Sequence, residues 1–263
     1  MSLLYVDEIR FEDVTDPVMT EFSVYHKIKS YENLLSHDTQ YVAVPIADTI
    51  NRKGISVMNN IIDVICRSSS KKKIFVCQHI HVNKLNFHGN VVYTPHTMIG
   101  ETHKVIPHFN PCIHKRDFIP WNKRCVDYSF LGAFKTHPLR SQLTKLKSDK
   151  IIVQDTGCWH FEKQDREKQT QAYVNMLCDT KYALCPPGTG VSTIRLYEAM
   201  AAGCTPVIFN DVKVPDVIEP YVVRIKNVDD VRSIEMIDNS ETIHKIYWDK
   251  LSNDQLYKFI LHE

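Results

Sequence analysis

The chain predicts an α/β fold of two Rossmann-like lobes with parallel sheets, and three observations carry that prediction. Short β-rich runs alternate with helical segments along most of the sequence, the pattern of parallel strands joined by crossover helices. The stretch 182–211, YALCPPGTGVSTIRLYEAMAAGCTPVIFND, holds one complete strand–loop–helix–strand unit. The segment 110–123, with Pro111, Pro120 and a mixed-charge middle, is the best linker candidate and splits the alternation in two. The expected division is 1–115 for the first lobe, 124–240 for the second and 241–263 for terminal helices.

In the first half, residues 22–26 and 40–45 read as strands separated by a polar helix over 28–36. Residues 50–67 carry Ile50, Val57, Met58, Ile61, Ile62 and Ile65 close to helical spacing. Ser68-Ser-Ser-Lys-Lys-Lys73 is a loop, and a solvated turn explains it better than a nucleic-acid patch. Residues 73–79, 90–94 and 104–107 are three more short strands. The second half follows with a strand at 128–131, a helix over 139–146, a strand at 150–154 and a helix over 168–178. After the 182–211 unit, residues 240–263 read as two short helices with an apolar face that includes Ile243, Tyr247, Leu251, Leu256 and Ile260.

Composition excludes several classes of function. At 263 residues the chain can bury a proper core in one large domain or two small ones. A net charge of +1 with 24% charged residues gives no field suited to nucleic acid or to an acidic membrane. The eight cysteines include no CxxC pair, and several fall inside expected strands or helices, which points to a reduced compartment. No apolar run approaches 18 residues, and the N-terminus is too acidic for a signal peptide. The expectation is a cytoplasmic, soluble protein. No Gly-x-Gly-x-x-Gly follows an early strand, against a dehydrogenase, and no Gly-x-Ser-x-Gly marks a serine nucleophile.

The 182–211 unit carries the chemistry. Pro186-Pro-Gly-Thr-Gly190 forms a tight loop after the strand, Ser192 suits a helix N-cap, and Gly203 stands where the helix should stop. Between Thr193 and Ala202 only Arg195 and Glu198 are charged, so the helix is buried on most sides. Arg195 falls in the first turn, where a cation opposes the helix dipole at a cost of about 0.3–1 kcal/mol. An anion held at that helix start reverses the argument, and the backbone N–H groups there suit phosphate. Glu198, one turn on, needs donors if buried, and ribose hydroxyls would supply them. The alternative is that Arg195 and Glu198 simply pair at i,i+3, and the sequence does not choose between the two.

The pattern resembles the C-terminal signature of exostosin-type glycosyltransferases. The residues that carry it are Cys185-Pro186, Gly188, Ser192, Arg195, Glu198-Ala199, Ala202-Gly203-Cys204, Pro206-Val207-Ile208 and Asp211. Tyr128-Ser-Phe-Leu-Gly-Ala-Phe134 with Arg140 and Leu143 is similar to the segment that opens the family's donor lobe. Residues 41–45 and 74–79 are similar to the two strands before the family's Asp-His pair, with Gln78 standing in place of the Asp. Eukaryotic members carry a membrane anchor and stem, so the chain is expected to be either a trimmed form or a compact relative, the latter resembling the anchorless members encoded by large algal viruses.

The resemblance implies a GT-B architecture, with the terminal helices crossing back to the first lobe. It implies an inverting transfer of a sugar from a UDP-sugar to a hydroxyl of a glycan or glycoprotein acceptor. A pentose such as xylose is favoured as donor sugar; glucuronate, galactose, N-acetylglucosamine and arabinose are the others. A non-catalytic partner of another transferase, or a UDP-sugar epimerase, is the alternative. No Asp-x-Asp occurs in the sequence, so no metal cofactor is expected and cations must neutralise the leaving diphosphate. Arg195, Arg140 and Lys135 are the candidates, with Gly132 letting backbone approach the phosphate. Pro187, Gly188 and Thr189 would shape the loop beneath the sugar, and Glu198 would take the ribose. Inversion requires a general base in the first lobe. Asp48, His79 and His81 lie at or beyond expected strand ends, where such sheets place ligands, and His96, Glu101 and His103 are further possibilities. His79-x-His81 also invites a metal reading, since both rings would share one face of a strand, although no third ligand is specified.

Overall fold

A computed structural model describes residues 2–6, 9–14, 19–31, 38–96, 102–157 and 166–261. The chain forms two compact units, Met1–Phe109 with Asn253–Glu263, and Asn110–Ser252. The division thus falls at 109/110, the segment 110–123 belongs to the second unit, and of the terminal residues only those from Asn253 onward join the first.

The first unit is a five-stranded, all-parallel sheet in chain order: β1 (Ser2–Tyr5), β2 (Thr39–Ala43), β3 (Lys72–Val76), β4 (Val91–Thr94) and β5 (His103–Val105). Alternation along the strands feeds two cores. Tyr41, Ala43, Ile74 and Val76 pack with α1 (Met19–Ser30), Leu256 and Ile260. Val42, Val44, Phe75 and Cys77 pack with α2 (Ile46–Lys53) and α3 (Ile55–Arg67). Gly54, at φ +89°, separates these two helices, which the sequence read as one.

Residues 22–26 are not a strand but the middle of α1. Their aromatic and β-branched content favours a strand locally, yet the buried side chains are Thr20, Glu21, Val24, Tyr25 and Ile28, a helical spacing. The packing of Tyr25 on Phe11, with rings stacked 4.4 Å apart, and the role of Glu21 decide the matter. The Glu21 carboxyl is 1% exposed and accepts the N–H groups of Ala47 (3.1 Å) and Gln78 (2.7 Å), tying α1 to the start of α2 and to the end of β3.

Burial pushes the Glu21 carboxyl up to about 8, against the opposing pull of these N–H donors. The unfolded chain releases this proton near 4.5 and the folded protein keeps it until about 8. Stability from Glu21 is therefore complete below pH 4.5 and is lost as pH rises through 8, at up to about 1.4 kcal/mol per pH unit. Glu21→Gln, neutral throughout, should flatten this decline. Urea unfolding at pH 5, 6.5 and 8 checks it; equal slopes in the two proteins would mean that Glu21 is ionised in the native state.

The second unit is also five-stranded and all-parallel, built from β6 (Val126–Gly132), β7 (Ile151–Asp155), β8 (Thr180–Leu184), β9 (Thr205–Phe209) and β10 (Val223–Ile225). Its strand order, β10-β9-β8-β6-β7, reverses between β6 and β8. The chain leaves β6 through α4 (Pro138–Gln142) toward β7, and leaves β8 through α6 (Ile194–Ala201) toward β9, the other way. Such a reversal opens a crevice at the carboxyl ends of the two strands. The helix α5 (Arg166–Cys178) makes the crossover from β7 to β8, and α7 (Ser240–Ile246) continues into a π turn at Tyr247–Leu251 whose Trp248 indole donates to the Ala201 carbonyl. The tail ends in α8 (Lys258–Leu261).

Seven cysteines among the described residues are free thiols. No helix among the described residues is long and apolar enough to cross a membrane.

Candidate functional site

The crevice of the second unit gathers the signature residues. β6 ends in Leu131-Gly132, β8 runs into Cys185-Pro-Pro-Gly188, and α6 starts after Thr193, whose side chain makes no capping bond to the helix. The N-cap is therefore Thr193 rather than Ser192, which is itself buried at 7% exposure. At the helix start the Leu196 N–H donates to the Thr193 carbonyl (3.2 Å), and no Thr193 side-chain bond occupies the N–H groups of the first turn.

Two guanidinium groups enter the crevice from opposite elements. Arg195, on the first turn of α6, donates from Nη2 to the Leu131 carbonyl and stands over the Phe130 ring, 4.3 Å from its centre. Arg140, on α4, donates from Nε to the Pro187 carbonyl (2.9 Å) and from Nη1 to the Ala133 carbonyl (3.2 Å). It stands over the same Phe130 ring at 5.4 Å. Exposures are 7% and 9%. Among the described residues neither guanidinium makes an ion pair, and Arg195 Nε has no partner. Burial, and then the neighbouring Arg195, lower the Arg140 guanidinium to about 10, so it stays cationic at neutral pH.

Gly132, expected beside the phosphate, and Gly188, expected in the loop beneath the sugar, make room for these arginines. A Cβ on Gly132 would lie 2.9 Å from Arg195 Nη2 and 3.1 Å from Phe130 Cζ, and one on Gly188 would lie 2.9 Å from Arg140 Nη2. Pro187 is buried, Thr189 is exposed at the loop tip, and Lys135 is exposed on the 3₁₀ turn Phe134–Thr136.

Glu198 is 1% exposed, and its oxygens are taken within the protein: the Tyr173 hydroxyl donates to Oε2 (2.6 Å) and the Cys112 thiol to Oε1 (3.3 Å). The donors that a buried carboxylate needs are thus present without a ligand. Burial raises the Glu198 carboxyl, opposed by Tyr173, Arg195 and Cys112. Tyr173 and Cys112 open onto two different cavities. Leu131, Gln154, Asp155, Thr156, Gln169 and Tyr173 line one of them, and Cys112, His114, Arg116, Glu167 and Gln171 line the other, of about 600 Å³. Neither residue announces itself in the sequence, because each meets Glu198 only through the tertiary fold.

The residues proposed as bases lie in the first unit. Asp48 sits in the first turn of α2 and is paired with Arg52 at 3.0 Å. His79 and His81 lie beyond the end of β3 rather than on the strand, with rings 5.3 Å apart. His79 Nδ1 accepts the N–H of His81 (3.1 Å). His96 follows β4, and His103 begins β5. Glu101 lies outside the described residues. No group of three or more His, Cys, Asp or Glu among the described residues is placed to hold a metal ion, so His79 and His81 gather no third ligand there.

The second unit is thus a parallel α/β unit whose switch-point crevice holds two buried arginines without an ion-pair partner among the described residues, beside a helix start that the Thr193 side chain does not cap. Residues 62–235, more than half of the chain, match the Exostosin GT47 domain, and the chain belongs to that family. It is 30% identical over 91 residues to a protein of Arabidopsis thaliana named a probable glycosyltransferase; the match covers 32% of this chain and 17% of that protein's length. Among solved structures it is similar to AviGT4, a glycosyltransferase involved in avilamycin A biosynthesis. That likeness has 10% identity and a TM-score of 0.44, over 99% of this chain and 96% of the other.

Proposed function

We propose that the chain is a glycosyltransferase of GT-B type that takes a sugar from a UDP-sugar and transfers it to a hydroxyl of a glycan acceptor. One observation carries the reading: two guanidinium groups, each about nine-tenths buried, face one crevice with no carboxylate paired to either among the described residues. Buried charge is costly unless paired, and a diphosphate carries the complementary charge in a shape that guanidinium forks match. Arg195, Arg140 and the first N–H groups of α6 would hold it and stabilise charge developing on the leaving oxygen, without a divalent metal. A ribose hydroxyl, a stronger donor than a thiol, would take the place of Cys112 at Glu198 Oε1. Inversion at the anomeric carbon and a pentose such as xylose as the donor sugar complete the reading.

Calorimetric titration with UDP and a panel of UDP-sugars, each with EDTA and with added manganese, tests it. The expected result is binding of UDP in both media, with one UDP-sugar preferred. Binding that needs manganese would overturn the metal-independent part. Absence of nucleotide binding would overturn the whole, in favour of a non-catalytic role.

A further inference from the structure

The end of β6 and the residue after it, Phe130 to Ala133, serve both crevice arginines at once. The Leu131 carbonyl accepts from Arg195 Nη2, and the Ala133 carbonyl accepts from Arg140 Nη1 at 3.2 Å. Two residues of extended chain set those carbonyls about 6–7 Å apart. Gly132, between them, leaves open the space that a side chain would take from Arg195. Phe130 supplies the last part, with its ring centre 4.3 Å from the Arg195 guanidinium carbon and 5.4 Å from that of Arg140.

Phe130 is fully buried, and no other ring among the described residues stands over both guanidinium groups. Tyr173 stands over Arg195 alone, at 5.6 Å, and its hydroxyl is used on Glu198. Alternation along β6 accounts for the placement. Tyr128 and Phe130 share one face of the strand and one core with Leu143, Leu184 and Phe209, while the Ser129 hydroxyl accepts from Thr180. The core holds the ring, and the ring is what the arginines meet in place of a carboxylate.

Two like charges in one buried site repel, and their closeness shows in Arg140, which burial and then Arg195 lower to about 10. An aromatic face attracts a cation through its quadrupole, more strongly where water is excluded, and carries no net charge. A carboxylate in the same place would neutralise an arginine outright and compete with phosphate for its fork. The ring gives a weaker hold, which a diphosphate can overcome.

We propose that Phe130 is the positioning residue of the diphosphate site, holding the Arg195 and Arg140 guanidinium groups side by side before the ligand arrives. The proposal rests on the glycosyltransferase reading and adds how the ligand-free site keeps two cations in place. Without the negative face of the ring the guanidinium groups turn away from the crevice, and binding must first bring them back.

Phe130→Leu removes the face, but it also opens the core. The second variant carries 3,5-difluorophenylalanine at position 130, which keeps the shape of the ring, leaves Cζ beside Gly132 unchanged and drains charge from the face. The readouts are calorimetric affinities for UDP and UMP and thermal melts of the ligand-free proteins. The expected result in the fluorinated protein is a loss in UDP affinity of about 5–30-fold. UMP, with one phosphate for two forks, should lose less, and the ligand-free Tm should stay within about 2 °C of wild type. Phe130→Leu should lose at least as much UDP affinity. UDP affinity within about twofold of wild type in the fluorinated protein would overturn the proposal while leaving the donor site intact. Equal losses for UDP and UMP with a lowered Tm would make Phe130 a core residue only. A wild-type protein that binds no UDP would overturn the proposal together with the reading beneath it.

Discussion

Replacing Arg195 with methionine is expected to abolish UDP binding while leaving the unliganded protein about as stable as before. Arg195 is buried, lacks an ion-pair partner among the described residues, and is compensated by one carbonyl and two aromatic faces, those of Phe130 and Tyr173. Removing one partner of a buried, hydrogen-bonded charge pair costs about 2–5 kcal/mol, which is about 30-fold to several-thousand-fold in Kd. That pair exists only in the complex. Without ligand, methionine keeps most of the apolar volume and removes a charge that has lost its water. Thermal melts with and without UDP check this: the wild-type rise in Tm with UDP should vanish in the variant, and the two ligand-free melts should coincide. A destabilised variant that still responds to UDP would make Arg195 a strut between α6 and β6 instead.

Arg124→Met should give the opposite pattern, a large loss of stability with no role in the ligand. Arg124 is 4% exposed and serves four carbonyls: Ile119 (2.8 Å), Thr180 (2.6 Å), Ala202 (2.8 Å) and Gly203 (3.2 Å). Two of them close the C-terminal end of α6, where a cation is favoured by the helix dipole. Leaving buried carbonyls unpaired costs about 1–3 kcal/mol each, so a loss of about 3 kcal/mol or more is expected from urea unfolding of the variant. Gly203, at φ +76°, fits the same arrangement, because a Cβ there would lie 2.7 Å from Phe118 Cε2 and 3.0 Å from Arg124 Nη2. A shift under 1 kcal/mol would show that water replaces the guanidinium.

The second unit was far more legible than the first. Its strands and helices are marked by Gly and Pro punctuation and by short apolar runs, and the 182–211 unit folds as the sequence reads, within a residue or so at each boundary. In the first unit the run Phe22-Ser-Val-Tyr-His26 has strand composition but helical burial, because Glu21 and Tyr25 find partners that lie far off in the chain or in another element. At the site, Arg195 was readable as a charge in an otherwise apolar helix, and Arg140 only through its resemblance to a family segment. What they touch was not: Phe130, the Pro187 carbonyl and the Leu131 carbonyl come together only through the strand reversal. Tyr173 and Cys112, the partners of Glu198, are ordinary residues until the fold sets them against it. Hydrogen-bond direction at His79 and His96 also lies beyond sequence, since it depends on which backbone groups the loop turns inward.

α6 is pinned at its end, where Arg124 takes the Ala202 and Gly203 carbonyls, and every residue from Arg195 to Ala201 is buried. Its buried side chains have little latitude to change size. The adjoining loop is under no such constraint at Thr189 and Val191, both exposed, whereas Pro187 is anchored through its carbonyl and Ser192 is enclosed. Side chains of different size and polarity therefore fit at those two loop positions, a few residues before a helix with no room for them.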